Sequence, residues 1–263
     1  MTTLADNVQD SSTMLRRSLR RMLRYPSMTI ILVGMPIVLL LLFVFVFGQT
    51  LGAGLGATSG GRVAYANYVT PGILLITVAA AAQGTAISVA MDMTAGLIAR
   101  FRTMPIARAS VLTGHALGSF IQTMLSLLVV VAVAVAVGFR PTAGPVGWIG
   151  ALGMLALFTF ALTWLSVALG LVARSPESAS NLPMFLVLLP FLGSGFVPAD
   201  SMPTALGWFA HYQPFTPVTE TVRALLLGGP LGANATVAVA WSVAIAALAY
   251  IWAQRLFDRR PVR

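Results

Sequence analysis

Cysteine and lysine are both missing from this 263-residue sequence. Without cysteine there is no disulfide, no thiolate metal site and no thiol nucleophile. Without lysine there is no Schiff-base chemistry, and a nucleotide-binding P-loop lacks the side chain that reaches the phosphates. Charge is scarce: 9% of residues are charged, against about 25% in a soluble domain. The seven acids are Asp6, Asp10, Asp92, Glu177, Asp200, Glu220 and Asp258. None lies at the centre of an apolar run, which argues against a carrier built on intramembrane carboxylates. The two histidines, His115 and His211, fall on opposite sides of the membrane in the topology derived below, so no shared metal site is expected. No polar stretch is long enough to build a separate soluble core.

What remains is apolar. Hydrophobic residues make up 58% of the chain, and the mean hydropathy is +0.89. About 20 helical residues cross a bilayer's hydrocarbon core. That length predicts six membrane helices, at 28–47, 69–91, 117–137, 148–172, 179–196 and 235–253, in one all-α domain covering 1–263. The fifth is the shortest, and Pro183 and Pro190 interrupt it.

All 16 basic residues are arginine. With the N-terminus inside, only Arg62, Arg140 and Arg223 face outward and the other 13 face inward. This split predicts cytoplasmic termini. It also accounts for the net charge of +9 without nucleic acid. The first span is expected to stay in the protein, because the polar region before it is too long for a signal peptide. Within 11–25, Leu15, Leu19, Met22 and Leu23 share one face of a helical wheel. The five arginines from Arg16 to Arg24 share the other, and Met14 alone breaks the partition. Such a helix lies in the membrane surface. Asp10 or Ser11 caps it, and Pro26 ends it.

The loops differ in character. Residues 49–67 read as a glycine-rich linker with no helical period, and 138–147 as a short turn. Residues 197–230 are rich in proline and aromatic side chains. They predict short helices that dip into the outer leaflet as a re-entrant segment. Pro217 would sit in the first turn of the last helix and Gly228 at its end. Phe196, Pro198, Pro214, Phe215, Pro217, Glu220 and Arg223 are assigned to an outer gate. Trp208, Phe209 and Tyr212 suit a membrane interface.

Polar residues inside the spans allow two readings. Gln83, Thr85, Ser88, Gln122, Thr123 and Ser126 either bond between helices or line a substrate path. The path candidates are Gln83, Thr85, Ser88, Gln122 and Ser194. Ser194 lies in "FLGSGF". The serine turn of intramembrane proteases has glycine where this chain has Leu192, and no histidine lies in the sixth span. No catalytic residue is therefore expected, and Ser194 between two glycines marks close packing or unwinding.

Residues 92–117, "DMTAGLIARFRTMPIARASVLTGHAL", resemble the cytoplasmic loop of ABC type-2 permeases, most closely the daunorubicin-resistance exporter branch. The matching positions are Gly96, Arg100, Arg102, Pro105 and Arg108. Residues 196–228 resemble the outer segment of the same family. One position departs: Ala99 stands where the family usually has an acid.

The resemblance implies the membrane subunit of an ATP-driven exporter in a bacterial cytoplasmic membrane. A second permease subunit, as a homodimer, would pair with this one. Two copies of a separate ATP-binding-cassette subunit would dock underneath and carry the ATP and magnesium, so this chain itself needs no cofactor. The loop 92–110 would be a coupling helix that meets the ATPase through Gly96, Arg100, Phe101, Arg102, Met104, Pro105 and Arg108. Substrates of this branch are amphipathic drugs or lipids, and a chain without intramembrane charge suits them. Two alternatives stay open: a permease for lipid-linked cell-envelope material, and a membrane scaffold or channel with no ATPase.

The topology has a direct test in a chain free of cysteine. A Ser59→Cys variant is expected to react with an impermeant thiol reagent from outside, and Ala95→Cys is not. The reverse pattern refutes the orientation.

Overall fold

The computed structural model describes residues 26–54, 61–94 and 108–259, and every regular element among them is helical. The in-plane helix expected over 11–25 lies outside the described residues, as does most of the loop expected over 92–110.

The chain begins with α1 (Pro26–Leu41), which continues through a π-helical turn (Leu42–Phe47) into α2 (Gly48–Ala53). Two long helices follow, α3 (Arg62–Thr94) and α4 (Arg108–Val137). Helix α5 (Pro145–Val172) starts with proline in its first turn after an extended Gly144, where the missing N–H costs nothing. Then come α6 (Pro176–Asn181), α7 (Met184–Leu188), a 3-10 turn (Ala199–Ser201), α8 (Thr204–Tyr212), α9 (Phe215–Leu227) and α10 (Asn234–Arg259).

Five of these helical stretches are long and apolar enough to cross a membrane: Leu32–Ala53, Arg62–Thr94, Leu112–Val137, Pro145–Val172 and Asn234–Phe257. They correspond to expected spans one to four and six, each reaching past the expected range at one end or both. At 33 residues, α3 is about 50 Å long and outreaches a hydrocarbon core of about 30 Å.

The linker expected over 49–67 needs correction, because helix occupies both of its ends. Glycine disfavours helix only mildly, and here it permits packing. Gly48 meets the Arg62 backbone, and Gly52 lies against the carbonyl of Gly61. A side chain at Gly52 would push α2 off the start of α3. The Arg62 guanidinium sits 4.9 Å over the Phe45 ring.

The expected fifth span also needs correction. No continuous helix covers 179–196. Helices α6 and α7 give way to a run of turns from Leu189 to Phe196. Pro183 and Pro190 are the cause, since each lacks an N–H and crowds the preceding turn. The broken segment still follows α3 along most of its length. Ala179 packs with Ala90, Gln83 donates to the Ser180 carbonyl at 2.8 Å, and Tyr65 donates to the Phe196 carbonyl at 3.3 Å.

Helices α3 and α5 form the centre. Helix α5 packs on α10, α3, α9 and α4, and small residues set the closest approach. A Cβ on Gly170 would lie 2.6 Å from the Ala86 carbonyl oxygen. Buried hydroxyls donate to carbonyls one turn back in their own helices, as at Thr70, Thr77, Thr85, Thr163 and Ser242. These hydroxyls therefore need no partner on a neighbouring helix. The outer helices α1, α4 and α10 expose large apolar side chains such as Val38, Leu128 and Leu248, as helices facing lipid would.

Gly72 and Gly195 also meet backbone to backbone: a Cβ on Gly72 would lie 2.5 Å from the Gly195 carbonyl oxygen. Gly153 has open space around it. Gly72→Ala should therefore lower stability by about 1–3 kcal/mol, the range for overpacking, while Gly153→Ala should not. Thermal unfolding of the detergent-solubilised variants checks this, and equal midpoints would contradict the packing.

Candidate functional site

The break between α7 and the 3-10 turn has carbonyls without helical partners, and α3 and α9 supply the donors. Helix α9 is positioned to do so because its sequence specifies both of its ends. Pro217 falls in its first turn, and Gly228 closes it in the left-handed region at φ 77°. Most of its residues are buried against α3, α5 and α10.

Arg223 projects from α9 across the start of α3. Its guanidinium donates to the Ser194 carbonyl at 2.8 Å and to the Tyr68 carbonyl at 3.0 Å. It lies 3.9 Å over the Tyr68 ring, a cation–π contact, and its remaining arm is paired with Glu220. The Arg223 side chain is only 12% exposed and Glu220 31%. The Tyr68 hydroxyl also donates to the Ser194 carbonyl, at 3.0 Å.

Below this lies a second polar layer. Gln213 donates to Thr216 Oγ1 at 3.0 Å and accepts from the Phe215 amide at 3.0 Å. The Ser194 amide donates to the same Thr216 oxygen at 3.3 Å. Gly193 has no room for a side chain because Gln213 and Thr216 fill that space. Aromatic rings close the layer. Phe191 stacks on Phe196 at 4.7 Å, and Phe215 meets Phe158 edge-on at 5.0 Å.

The structure thus brings Ser194, Phe196, Phe215, Glu220 and Arg223 together. Pro198 and Pro214 sit at the N-termini of the 3-10 turn and of α9, and Pro217 is buried in α9. Ser194 serves through its backbone, and its hydroxyl is buried without a partner. Sequence reasoning missed Tyr65, Tyr68, Gln213 and Thr216. Tyrosines three apart in "YANY" share a helix face, a signal hidden by reading 49–67 as a linker.

Of the expected path residues, Gln83, Thr85 and Ser88 lie on α3 and Gln122 on the neighbouring α4. Gln83 bonds the Ser180 carbonyl and Thr85 its own helix. Ser88 is half-buried on α3, and Gln122 lies on α4.

Of the expected coupling residues, Arg108 begins α4. Gly96, Arg100, Phe101, Arg102, Met104 and Pro105 lie outside the described residues. The stems of that loop are joined by a contact the sequence did not reveal: His115 Nε2 on α4 lies 3.0 Å from Asp92 Oδ2 on α3, with the carboxylate 6% exposed. Asp92 is thus a buried helical residue, not a loop acid. On the opposite end, His211 and Asp200 pair at 3.1 Å in the open. Among the described residues no group of three acids or histidines could hold a metal.

Removing the guanidinium would strip two carbonyls of a donor and leave Glu220 unpaired. Arg223→Met should cost roughly 3–5 kcal/mol, the range for removing one partner of a buried pair. Glu220→Gln, which keeps an acceptor, should cost about 1–3 kcal/mol. Melting in detergent micelles ranks the two, and an Arg223→Met variant as stable as the parent would show that the network contributes nothing.

Comparison with known proteins agrees with this architecture. Residues 9–227 match the family described as ABC-2 type transporter. The chain is 31% identical over 222 residues to the daunorubicin resistance ABC transporter permease protein DrrB1 of Streptomyces coeruleorubidus, covering 84% of this chain and 75% of that one. It is 25% identical over 174 residues to the probable doxorubicin resistance ABC transporter permease protein DrrC of Mycobacterium tuberculosis, covering 65% of this chain and 63% of that one. A helical chain with several membrane-length apolar helices and a match of this extent belongs to the ABC-2 type transporter family.

Proposed function

We propose that this chain is the membrane-spanning permease subunit of an exporter that moves amphipathic drug-like or lipid substrates outward across a bacterial cytoplasmic membrane. ATP hydrolysed on two copies of a separate subunit drives it. Both termini face the cytoplasm, and a second copy of the permease completes the path. The observation that carries this reading is the 31% identity to a daunorubicin-resistance permease over 84% of the chain.

The geometry supports a mechanism of population shift. The loop 92–110 docks on the ATPase through Arg100, Arg102 and Arg108, with Phe101 and Met104 as apolar anchors. Its stems are α3 and α4, tied by Asp92 and His115. The far end of α3 carries Tyr65 and Tyr68, which hold the broken segment. One continuous helix, with Pro71 inside it, therefore joins the loop to the Arg223 network. Closure of the ATPase pair moves the stems, and the outer network around Arg223, Glu220 and Phe196 yields as the gate.

The coupling role has a separable test. Arg102→Glu should leave the protein inserted in the membrane, since 12 of the 13 inward arginines remain. It should weaken association with the ATPase and uncouple hydrolysis from transport. A desolvated charge contact at an interface is worth roughly 2–5 kcal/mol, and a rim contact far less. Co-purification of the two subunits and substrate-stimulated hydrolysis in reconstituted membranes give the readout. If Arg102→Glu and Phe101→Ala both leave assembly and hydrolysis unchanged, the loop is not the coupling element.

A further inference from the structure

Helix α3 joins the coupling loop to the Arg223 network, and Pro71 interrupts its hydrogen-bond ladder. A proline in a helix interior removes one backbone bond and crowds the turn before it, so helices bend there. Tyr65 and Tyr68, which hold the broken segment, lie on the outer side of Pro71. The coupling loop lies on the inner side. A displacement that starts at the loop must pass the proline to reach the network.

Helix α4 packs beside α3 and carries no proline from Arg108 to Val137. Two polar contacts tie the pair, one on each side of Pro71. On the inner side, His115 Nε2 lies 3.0 Å from Asp92 Oδ2. On the outer side, Asn67 Oδ1 accepts the Arg140 amide at 2.7 Å. Arg140 is itself fixed to the end of α4, because its guanidinium donates to the Val135 and Phe139 carbonyls at 2.7 and 3.2 Å. The two ties are about 37 Å apart along α3.

Asp92 is unfavourable on local grounds. It stands in the last turn of α3, where the helix dipole disfavours an acid, and it is 4% exposed. A buried pair of this kind adds little stability over apolar packing. Apolar packing is already present at these ends, where Val89 of α3 shares a cluster with Leu112 and Ala116 of α4. Such packing is non-directional, whereas a polar contact at 3.0 Å holds one register. The pair therefore adds alignment.

We propose that α4 is a splint for α3. The Asp92–His115 and Asn67–Arg140 contacts fix the two helices as one body, which carries the movement of the coupling loop past Pro71 to the outer network. Asp92, His115 and Asn67 are positioning residues in this arrangement. The proposal rests on the export reading above and assigns how its two ends communicate.

The test uses the full permease with its ATPase subunit in proteoliposomes, with daunorubicin as the transported probe. Asp92→Ala breaks the inner tie and Asn67→Ala the outer one. Each should leave co-purification of the subunits and ATP hydrolysis in place. Daunorubicin moved per ATP should fall about fivefold or more, the low end of coupling between distant sites. Pro71→Ala returns the missing bond to α3, so adding it to either variant should restore transport per ATP to the parent value, and alone it should behave as the parent. A merely structural role predicts no such rescue, since Pro71→Ala mends neither contact. Asn67 is half-buried and its partner amide is exposed, so this variant keeps the test open if Asp92→Ala does not fold. Full coupling in Asn67→Ala overturns the splint. A loss that Pro71→Ala fails to restore, or a loss in Pro71→Ala alone, also overturns it. In each of these cases transport by the parent keeps the exporter. A parent complex that hydrolyses ATP without moving the probe removes both readings.

Discussion

Backbone that leaves the helix at membrane depth must find hydrogen-bond donors, because lipid offers none. The arrangement around α9 follows from that constraint. Pro183 and Pro190 break the segment after α5, and the freed carbonyls are claimed by Arg223, Tyr68, Tyr65 and Gln213. Hydrogen bonds to a charged donor contribute about 1.5–3 kcal/mol each, which suits a guanidinium to the task better than an uncharged donor. The charge is in turn neutralised by Glu220 and spread over the Tyr68 ring. Gly193 and Gly195 bring the broken backbone within reach of these groups, and Gly72 lets it lie against α3. Remove any one part and another is left with an unmet partner.

Polar chemistry is accordingly gathered at the two ends of α3. At one end stands the Arg223 network and at the other the Asp92–His115 contact. Between them, buried hydroxyls bond to their own helix, and among the described residues Gln83 alone reaches across, to the Ser180 carbonyl.

The helices divide into a buried pair and a peripheral set. α3 and α5 have most of their surface covered, whereas α1, α4 and α10 present Val, Leu and Ile outward. A cavity between α4, α5 and α10 lies where two peripheral helices meet the central one. The Arg223 network instead joins both central helices through α9.

Much of this could be read along the chain. Hydropathy located five membrane-length helices, because burial in lipid is decided residue by residue. Pro217 and Gly228 marked the ends of α9, because each acts through its own backbone geometry. Pro183 and Pro190 announced a weak fifth span for the same local reason. The family was legible from Gly96, Arg100, Arg102, Pro105 and Arg108, although the described residues say nothing of the coupling they are proposed to perform. What the sequence could not say was who satisfies whom. Arg223 and Tyr68 are 155 positions apart, and an arginine in an outer segment reads equally well as an exposed loop charge. Asp92 read as a loop acid until α4 brought His115 beside it. Trp164 and Tyr250 are unremarkable members of two apolar helices until packing places their rings 4.7 Å apart. Local rules determine where a helix starts and stops. The partners of a buried polar group depend on three-dimensional proximity, which only the packed structure decides.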